Sequence, residues 1–387
     1  MEESMMKKIS FFGLRLTIVI ACMLLFPIGG ITQASAETFK IGAICAQTGP
    51  AAAFGVEVCE GKTTWVKGKN AAGGLKGMNV EIVTRDTETN TITAVNAYRR
   101  HLQDKDIRII WMGTSSTSIL AVKPLAAEGG IPMLVGGGNP KIGMPPDPWV
   151  YKAGTTSDDF GGGLLNWMKG KGMKTIATIS ATDAYGQSER NAIKKYAPDF
   201  GIQVVAQEEF AMTDVDFTAQ LMNIKRKNPD LLYSAAAGGP AILVYKAIKK
   251  LGIDAQLALT PSATNAAFFK ALGGKKAIDG VVVSSMLGSF GDKIPGQSGE
   301  YWKELSAALG REGSFMHVIG WDMGILTEWA VNNSDGTRKG IQAALAGAKD
   351  VRVIMGPVDF TTGTHNGLDY RAILVGVYRN GQLIPAN

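Results

Sequence analysis

The sequence predicts an α/β protein made of two parallel-sheet units. Three observations support this. Past residue 36, short β-rich runs alternate with amphipathic helical stretches, the pattern of a parallel sheet covered by helices on both faces. The alternation breaks once, over 136–148, where four prolines and four glycines gather, and then restarts. The 351 residues after Ala36 are enough to bury ample core and usually divide into two domains.

In order, 39–45 reads as a strand and 56–71 as a helix. Gly73 and Gly74 end that helix, because glycine tolerates the left-handed backbone of a helix terminus. Residues 79–84 (strand), 91–104 (helix), 108–112 (strand), 119–128 (helix) and 131–135 (strand) complete the first unit. The second runs through 175–180 (strand), 188–200 (helix), 203–208 (strand), 217–227 (helix), 230–234 (strand), 241–251 (helix), 257–260 (strand) and 280–285 (strand). Helices are expected at 299–309, 315–332 and 335–346. Strand-like runs at 351–355, 358–360 and 371–378 end the chain, and periodicity alone assigns this tail to neither unit.

Ahead of these elements, Lys7, Lys8 and Arg15 precede an apolar run over 16–26, and Ala34-Ser35-Ala36 follows. A charged start, a short apolar middle and an A-x-A end form the layout of a signal peptide over 1–36, with cleavage expected after Ala36. The run is shorter than the roughly 20 residues that span a bilayer. The rival reading places a lipid on Cys22, after Val19-Ile20-Ala21, but the apolar run continues past that cysteine. The mature chain is expected in the periplasm, without a membrane segment.

After Ala36 there are 37 basic and 32 acidic residues, a net charge of +5. That balance would steer an anion weakly; more simply, the lysines at 169–174 and 225–227 are solvated helix ends. No basic run is interleaved with aromatics, so no nucleic-acid partner is expected. Cys45 and Cys59 remain, and an exported pair often forms a disulfide; two buried thiols are the alternative. Neither has a neighbouring His or Cys, and His101, His317 and His365 are scattered, so no metal site is expected.

Four strand-to-helix junctions carry candidate chemistry. Gly113-Thr114-Ser115-Ser116-Thr117-Ser118 is rich in hydroxyls, which cap a helix, and the free N–H groups of the same turn favour an anion. Ligands of open α/β sheets settle at such carboxyl ends of strands. The second glycine of G-x-S-x-G is missing, which argues against a hydrolase elbow. Gly136-Gly137-Gly138-Asn139-Pro140 lets backbone approach a ligand, but no G-K-[ST] follows, so no nucleotide cofactor is expected. Phe54, between small residues, is expected on a loop, stacking on a ligand or packed beneath it. Asp183-Ala184-Tyr185-Gly186 fills the matching loop of the second unit, with Tyr185 offering a ring and a hydroxyl.

Taken together, Ile41-Gly42-Ala43, Thr48-Gly49-Pro50 with Phe54-Gly55, and Asn70-Ala71-Ala72-Gly73-Gly74-Leu75-Lys76-Gly77 resemble the periplasmic ligand-binding proteins of the leucine/isoleucine/valine type. Asp86, Gly113 to Ser118, Gly130-Ile131-Pro132, Asp183 with Tyr185-Gly186, and Asp214 to Phe217 extend the resemblance collinearly. It implies a type I periplasmic-binding-protein fold, two doubly wound α/β lobes joined by three crossovers near 151–154, 282–285 and 356–359. Lobe 1 would hold 37–152 plus 284–357, and lobe 2 would hold 153–283 plus 358–387. Such proteins are not enzymes; they close on a small molecule and deliver it to the permease subunits of an ABC transporter, here as an expected monomer.

The resemblance also implies the ligand contacts. Phe54 stands where amino-acid binders often have Tyr. Ser115 and Ser116 match the serines that hold the ligand carboxylate. Gly137 and Asn139 match residues holding carboxylate and ammonium, and Tyr185 matches a ligand-covering tyrosine. Ala237 and Pro261 mark two departures: the loops 235–238 and 260–262 lack the polar or acidic contacts of amino-acid binders. A buried ammonium without a counter-charge is costly, and Asp183 is expected to cap its helix or face outward. The ligand is therefore expected to be an organic acid without an amine, an aromatic carboxylate for example, with a branched-chain or other amino acid as the alternative. A ligand-sensing regulator would use the same fold but usually adds an output or membrane segment, and a secreted hydrolase would need a nucleophile–base–acid set that is not visible.

Overall fold

The structure is a computed structural model and describes residues 37–113, 115–369 and 372–386. The leader, the alternative lipid at Cys22, Thr114 and the Arg371 start of the last predicted strand lie outside the described residues.

The first sheet is built from β1 (Thr38–Cys45), α1 (Ala52–Ala71), β2 (Asn79–Asp86), α2 (Thr91–Gln103), β3 (Ile107–Met112), α3 (Ser116–Gly129), β4 (Met133–Val135) and β5 (Val150–Lys152). All five strands are parallel, in the order β2-β1-β3-β4-β5. The chain then crosses to α4 (Ser157–Gly170), β6 (Thr175–Ala181), α5 (Ala184–Tyr196), β7 (Gln203–Phe210), α6 (Thr218–Lys227), β8 (Leu231–Ala235), α7 (Gly238–Lys250), β9 (Gln256–Leu259), α8 (Ala266–Leu272) and β10 (Val282–Met286). Next come α9 (Gly296–Leu309), α10 (Phe315–Asn332) and α11 (Arg338–Ala346). A small hairpin of β11 (Val351–Val353) and β12 (Gly356–Val358) follows, then β13 (Ile373–Arg379) and β14 (Gln382–Pro385). The second sheet runs β14-β13-β10-β9-β8-β6-β7; β13 alone runs against the others, pairing antiparallel with both β10 and β14. Its parallel part repeats the winding of the first sheet.

Period-two alternation splits each strand between two cores. In the first sheet Ile44, Ile110, Met112, Met133 and Val135 pack under α2 and α3 with Tyr98, Ile119 and Val122. Phe39, Ile41, Ile109, Trp111 and Leu134 face the other way, toward Trp65 of α1 and Trp321 of α10. Helices α1 and α10 approach closely because they meet through glycines: a Cβ on Gly61 would strike the His317 carbonyl, and one on Gly324 would strike the Trp65 ring. The Trp111 indole donates to Thr327 Oγ1 of α10 at 2.8 Å. Cys45 and Cys59 form a disulfide, with their Cα atoms 6.2 Å apart, tying the end of β1 to α1.

Two expectations are corrected. Residues 282–285, read both as part of a strand over 280–285 and as a crossover, are strand β10, as the strand reading has it, paired with β9 and β13; the chain leaves the second sheet only after Met286. Helix α4 was missed. Gly161, Gly162 and Gly163 dilute its helical signal, but a capping box of Thr156 and Asp159 starts it, and Gly161 lets it lie against Ala192 of α5.

Candidate functional site

The carboxyl ends of the two sheets face each other around a cavity of about 310 Å³. On the first-sheet side its wall comes from Pro50, Ala51 and Phe54 after β1, residues 115–118 after β3, and Gly136, Gly137 and Gly138 after β4. On the second-sheet side it comes from Asp183 and Tyr185 after β6, Met212 and Thr213 after β7, Ala237 after β8, and Pro261 and Ser262 after β9. Every one of these segments follows a strand, the position that a doubly wound sheet gives its ligands.

Hydrogen bonds close the two sides over this space. Asn139 Nδ2 donates to the Ala184 carbonyl at 2.7 Å, and the Ala184 N–H donates to Thr117 Oγ1 at 3.1 Å. The Gly239 N–H donates to the Pro50 carbonyl at 3.2 Å, and the Ala266 N–H donates to Glu57 Oε1 at 2.7 Å.

The start of α3 forms one part of the wall. Ser115 is extended and caps the helix, its Oγ accepting from the Ser118 N–H at 3.4 Å. Ser116, fully buried, begins the helix, and its Oγ accepts from the Asn139 N–H at 3.3 Å. The first N–H groups of a helix lack intrahelical partners and sit at the positive end of its dipole. Gly137 crowds this turn with φ of +88°; a Cβ there would come 3.1 Å from Ser116 Oγ.

Among the described residues no basic side chain lines the cavity. Lys152 lies behind the wall: its Nζ donates to the carbonyls of Gly154 and Thr155, both lining residues. Burial pulls its pKa down to about 7. The charged group that does line the cavity is Asp183. Its Oδ1 caps α5 by accepting from the Gly186 N–H at 2.8 Å, and burial raises its carboxyl pKa. The expectation that Asp183 would cap is met, and it reaches the cavity as well.

Phe54, Ser115, Ser116, Gly137, Tyr185, Ala237 and Pro261 therefore share one cavity. Phe54 is not on a loop; it sits in the first turn of α1, 8% exposed, with its ring against the Gly238 backbone. Asn139 is the exception. It does not line the cavity: Oδ1 accepts from the Lys141 N–H at 3.0 Å and Nδ2 is spent on Ala184. Sequence reading missed Phe160, Met286, Phe315, Ile319 and Met355, apolar residues brought to the wall from distant elements. Nothing in their local sequence separates them from ordinary core.

Residues 38–381 match the family described as "Periplasmic binding protein". The chain belongs to this family. An "Amino acid binding protein" from Pseudomonas aeruginosa is 24% identical over 263 residues, 66% of this chain and 69% of that protein. The periplasmic binding protein type 1 from Bordetella pertussis Tohama I superposes with a TM-score of 0.82 at 23% identity, covering 90% of this chain and all of the other. A solute-binding protein of an ABC transporter from R. palustris, solved in complex with benzoate, gives a TM-score of 0.79 at 22% identity, over 91% and 96% of the two chains. The type I periplasmic-binding fold expected from the resemblance is the fold observed.

Proposed function

We propose that this chain is an extracytoplasmic solute receptor that captures a small organic acid between two closing lobes and hands it to an ABC importer. The lobes would divide near 152/153, near 357/358 and, with β10 kept whole, near 286/287. The observation that carries this reading is the cavity between the two sheets, with the α3 N-terminus and the hydroxyls of 115–118 on one side and aromatic rings around it. A carboxylate would sit at that helix end, held by N–H groups and hydroxyls rather than by a cation. Phe54, Phe160, Phe315 and Tyr185 suit a flat apolar body, and the 235–238 and 260–262 loops bring no acid to the wall. No described helix is long and apolar enough to cross a membrane. Residues 1–36 would be removed on export.

A second reading has one observation in its favour. Asp183 lines the cavity and has its second carboxylate oxygen left for an ammonium, which would suit an α-amino acid.

A thermal-shift panel followed by calorimetry separates the two. Benzoate, hydroxybenzoates, cinnamates and short keto acids are expected to stabilise the protein. Ser116→Ala should then weaken binding by about 1–3 kcal/mol, the cost of a buried oxygen losing its partner. Leucine, isoleucine, valine or phenylalanine acting at micromolar concentration, with every amine-free acid inert, would transfer the assignment to the amino acid.

A further inference from the structure

One charged group is tied to the cavity wall and has no part in the contacts described so far. Lys152 ends β5, and its side chain is fully buried. Its Nζ donates to the Gly154 carbonyl at 2.9 Å and to the Thr155 carbonyl, and both residues line the cavity. The same stretch is fixed to the loop after β4. The Ala153 N–H donates to the Val135 carbonyl at 3.1 Å, and the Ser157 N–H donates to the Gly138 carbonyl at 2.8 Å. Lys62, equally buried, donates instead to the Trp111 carbonyl, and Trp111 does not line the cavity.

A buried ammonium is costly without an anion beside it. Two carboxylates attract Lys152 from a distance, Asp159 of α4 and Glu189 of α5, and both are engaged elsewhere. Asp159 Oδ2 accepts from the Thr156 N–H at 2.8 Å and from the Thr156 hydroxyl at 2.7 Å. Glu189 Oε2 accepts from the Tyr233 hydroxyl at 2.8 Å, and burial raises its pKa to about 7, so it is only partly charged. Burial outweighs the pull of both and brings Lys152 down to about 7.

We propose that Lys152 is the counter-charge of the captured acid: it sets the preference for an anion through the Gly154–Thr155 backbone, without touching the ligand. This rests on the organic-acid reading above. A charge in a dry wall acts beyond contact distance, because little water intervenes to screen it. The α3 turn would supply the contacts and Lys152 the charge. By linkage, an anion that favours the protonated lysine is favoured by it to the same degree. The uncharged amide of the same acid gains nothing from this field, so Lys152 discriminates by charge and not by shape.

The test is calorimetry on the mature chain with acids and their amides: benzoate and benzamide, 3-phenylpropanoate and 3-phenylpropanamide, pentanoate and pentanamide. For an acid that binds, Lys152→Met and Lys152→Gln should each weaken it about tenfold and change its amide less than about threefold. Thermal unfolding checks each variant, and either one that folds suffices. Acid and amide weakened equally would overturn the proposal, and so would an acid whose affinity is unchanged. A second measurement uses the unaltered protein. At pH 8, titration in buffers of different ionisation enthalpy should show part of a proton taken up with each acid molecule. The other acidic groups facing Lys152 and the cavity are Asp159, Glu189 and Asp183, so the uptake should persist in Asp159→Asn, Glu189→Gln and Asp183→Asn. No uptake, or an uptake that any one of these three abolishes, would also overturn it. If no acid binds, the organic-acid reading falls first and this one falls with it; if acids bind and these outcomes fail, only this one falls.

Discussion

The side-chain amide of Asn139 reaches across the cleft and donates a 2.7 Å hydrogen bond to the Ala184 carbonyl. Asn139 follows the first sheet's β4, and Ala184 opens the helix that carries Tyr185, so on the two-lobe reading proposed above this bond would exist only while the two sides are closed. Asn139 would then act as a latch beside the cavity rather than as part of its wall.

Asn139→Ala is therefore expected to weaken ligand binding modestly, by about 0.5–1.5 kcal/mol or roughly two- to tenfold. The loss should appear mainly as faster release, measured by stopped-flow, because the closed state loses a bond. A variant with unchanged release and slower capture would place Asn139 on the entry path instead.

The Cys45–Cys59 disulfide closes a short loop between β1 and α1, a sequence separation of 14. In the chain-entropy picture a loop of this size contributes about 3 kcal/mol of stability. The unfolded, unreduced mature protein should show no free thiol on titration. Urea unfolding of Cys45→Ala/Cys59→Ala should reveal a loss of that order, and an unaltered midpoint would mean that the tether adds nothing.

Glu189 makes folding sensitive to pH in a stated direction. Burial raises its pKa from 4.5 to about 7. Below pH 4.5 the group is neutral in both the folded and the unfolded chain. Between 4.5 and 7 the unfolded chain gives up the proton while the folded chain keeps it, so stability falls as pH rises, and the penalty is complete above about 7. Glu189→Gln lacks this titration. Across the window its stability relative to the parent should improve by roughly 1–3 kcal/mol. Asp322, also pushed to about 7 by burial, titrates alike in both proteins and cancels. Urea melts at pH 4.5, 6 and 8 provide the measurement; a difference that is flat with pH would show that Glu189 stays charged.

Much of this fold is legible in the sequence because strand and helix runs alternate between clear glycine stops, as at Gly73 and Gly74. Helix α4 was not, since its three consecutive glycines read as loop until tertiary packing against Ala192 is known. The site was legible where it follows a strand end: Ser115, Ser116, Gly137 and Tyr185 sit at junctions that any doubly wound sheet turns toward its ligand. Direction was not legible. A single residue separates Gly137, which lines the cavity, from Asn139, which turns away to Ala184. Phe315 and Ile319 were out of reach for a different reason. They meet Phe54 at one cavity from more than 250 positions along the chain, and only the packing of α10 on α1 brings them there.

That packing also orders the chain in time. Helix α1 and strands β1 to β5 are synthesised early, but α10, which covers their Trp65 and Trp111 face, comes after the entire run of α4 to β10. The 2.8 Å bond from Trp111 to Thr327 spans 216 positions. Contacts of such separation form late, after the entropy of a long loop has been overcome. In refolding, a protein retaining only Trp111 among its tryptophans should reach native emission among the last signals to settle. The half of the molecule made first is thus among the last to be finished, and its apolar face stays open to wrong partners until the third quarter of the chain has gone by.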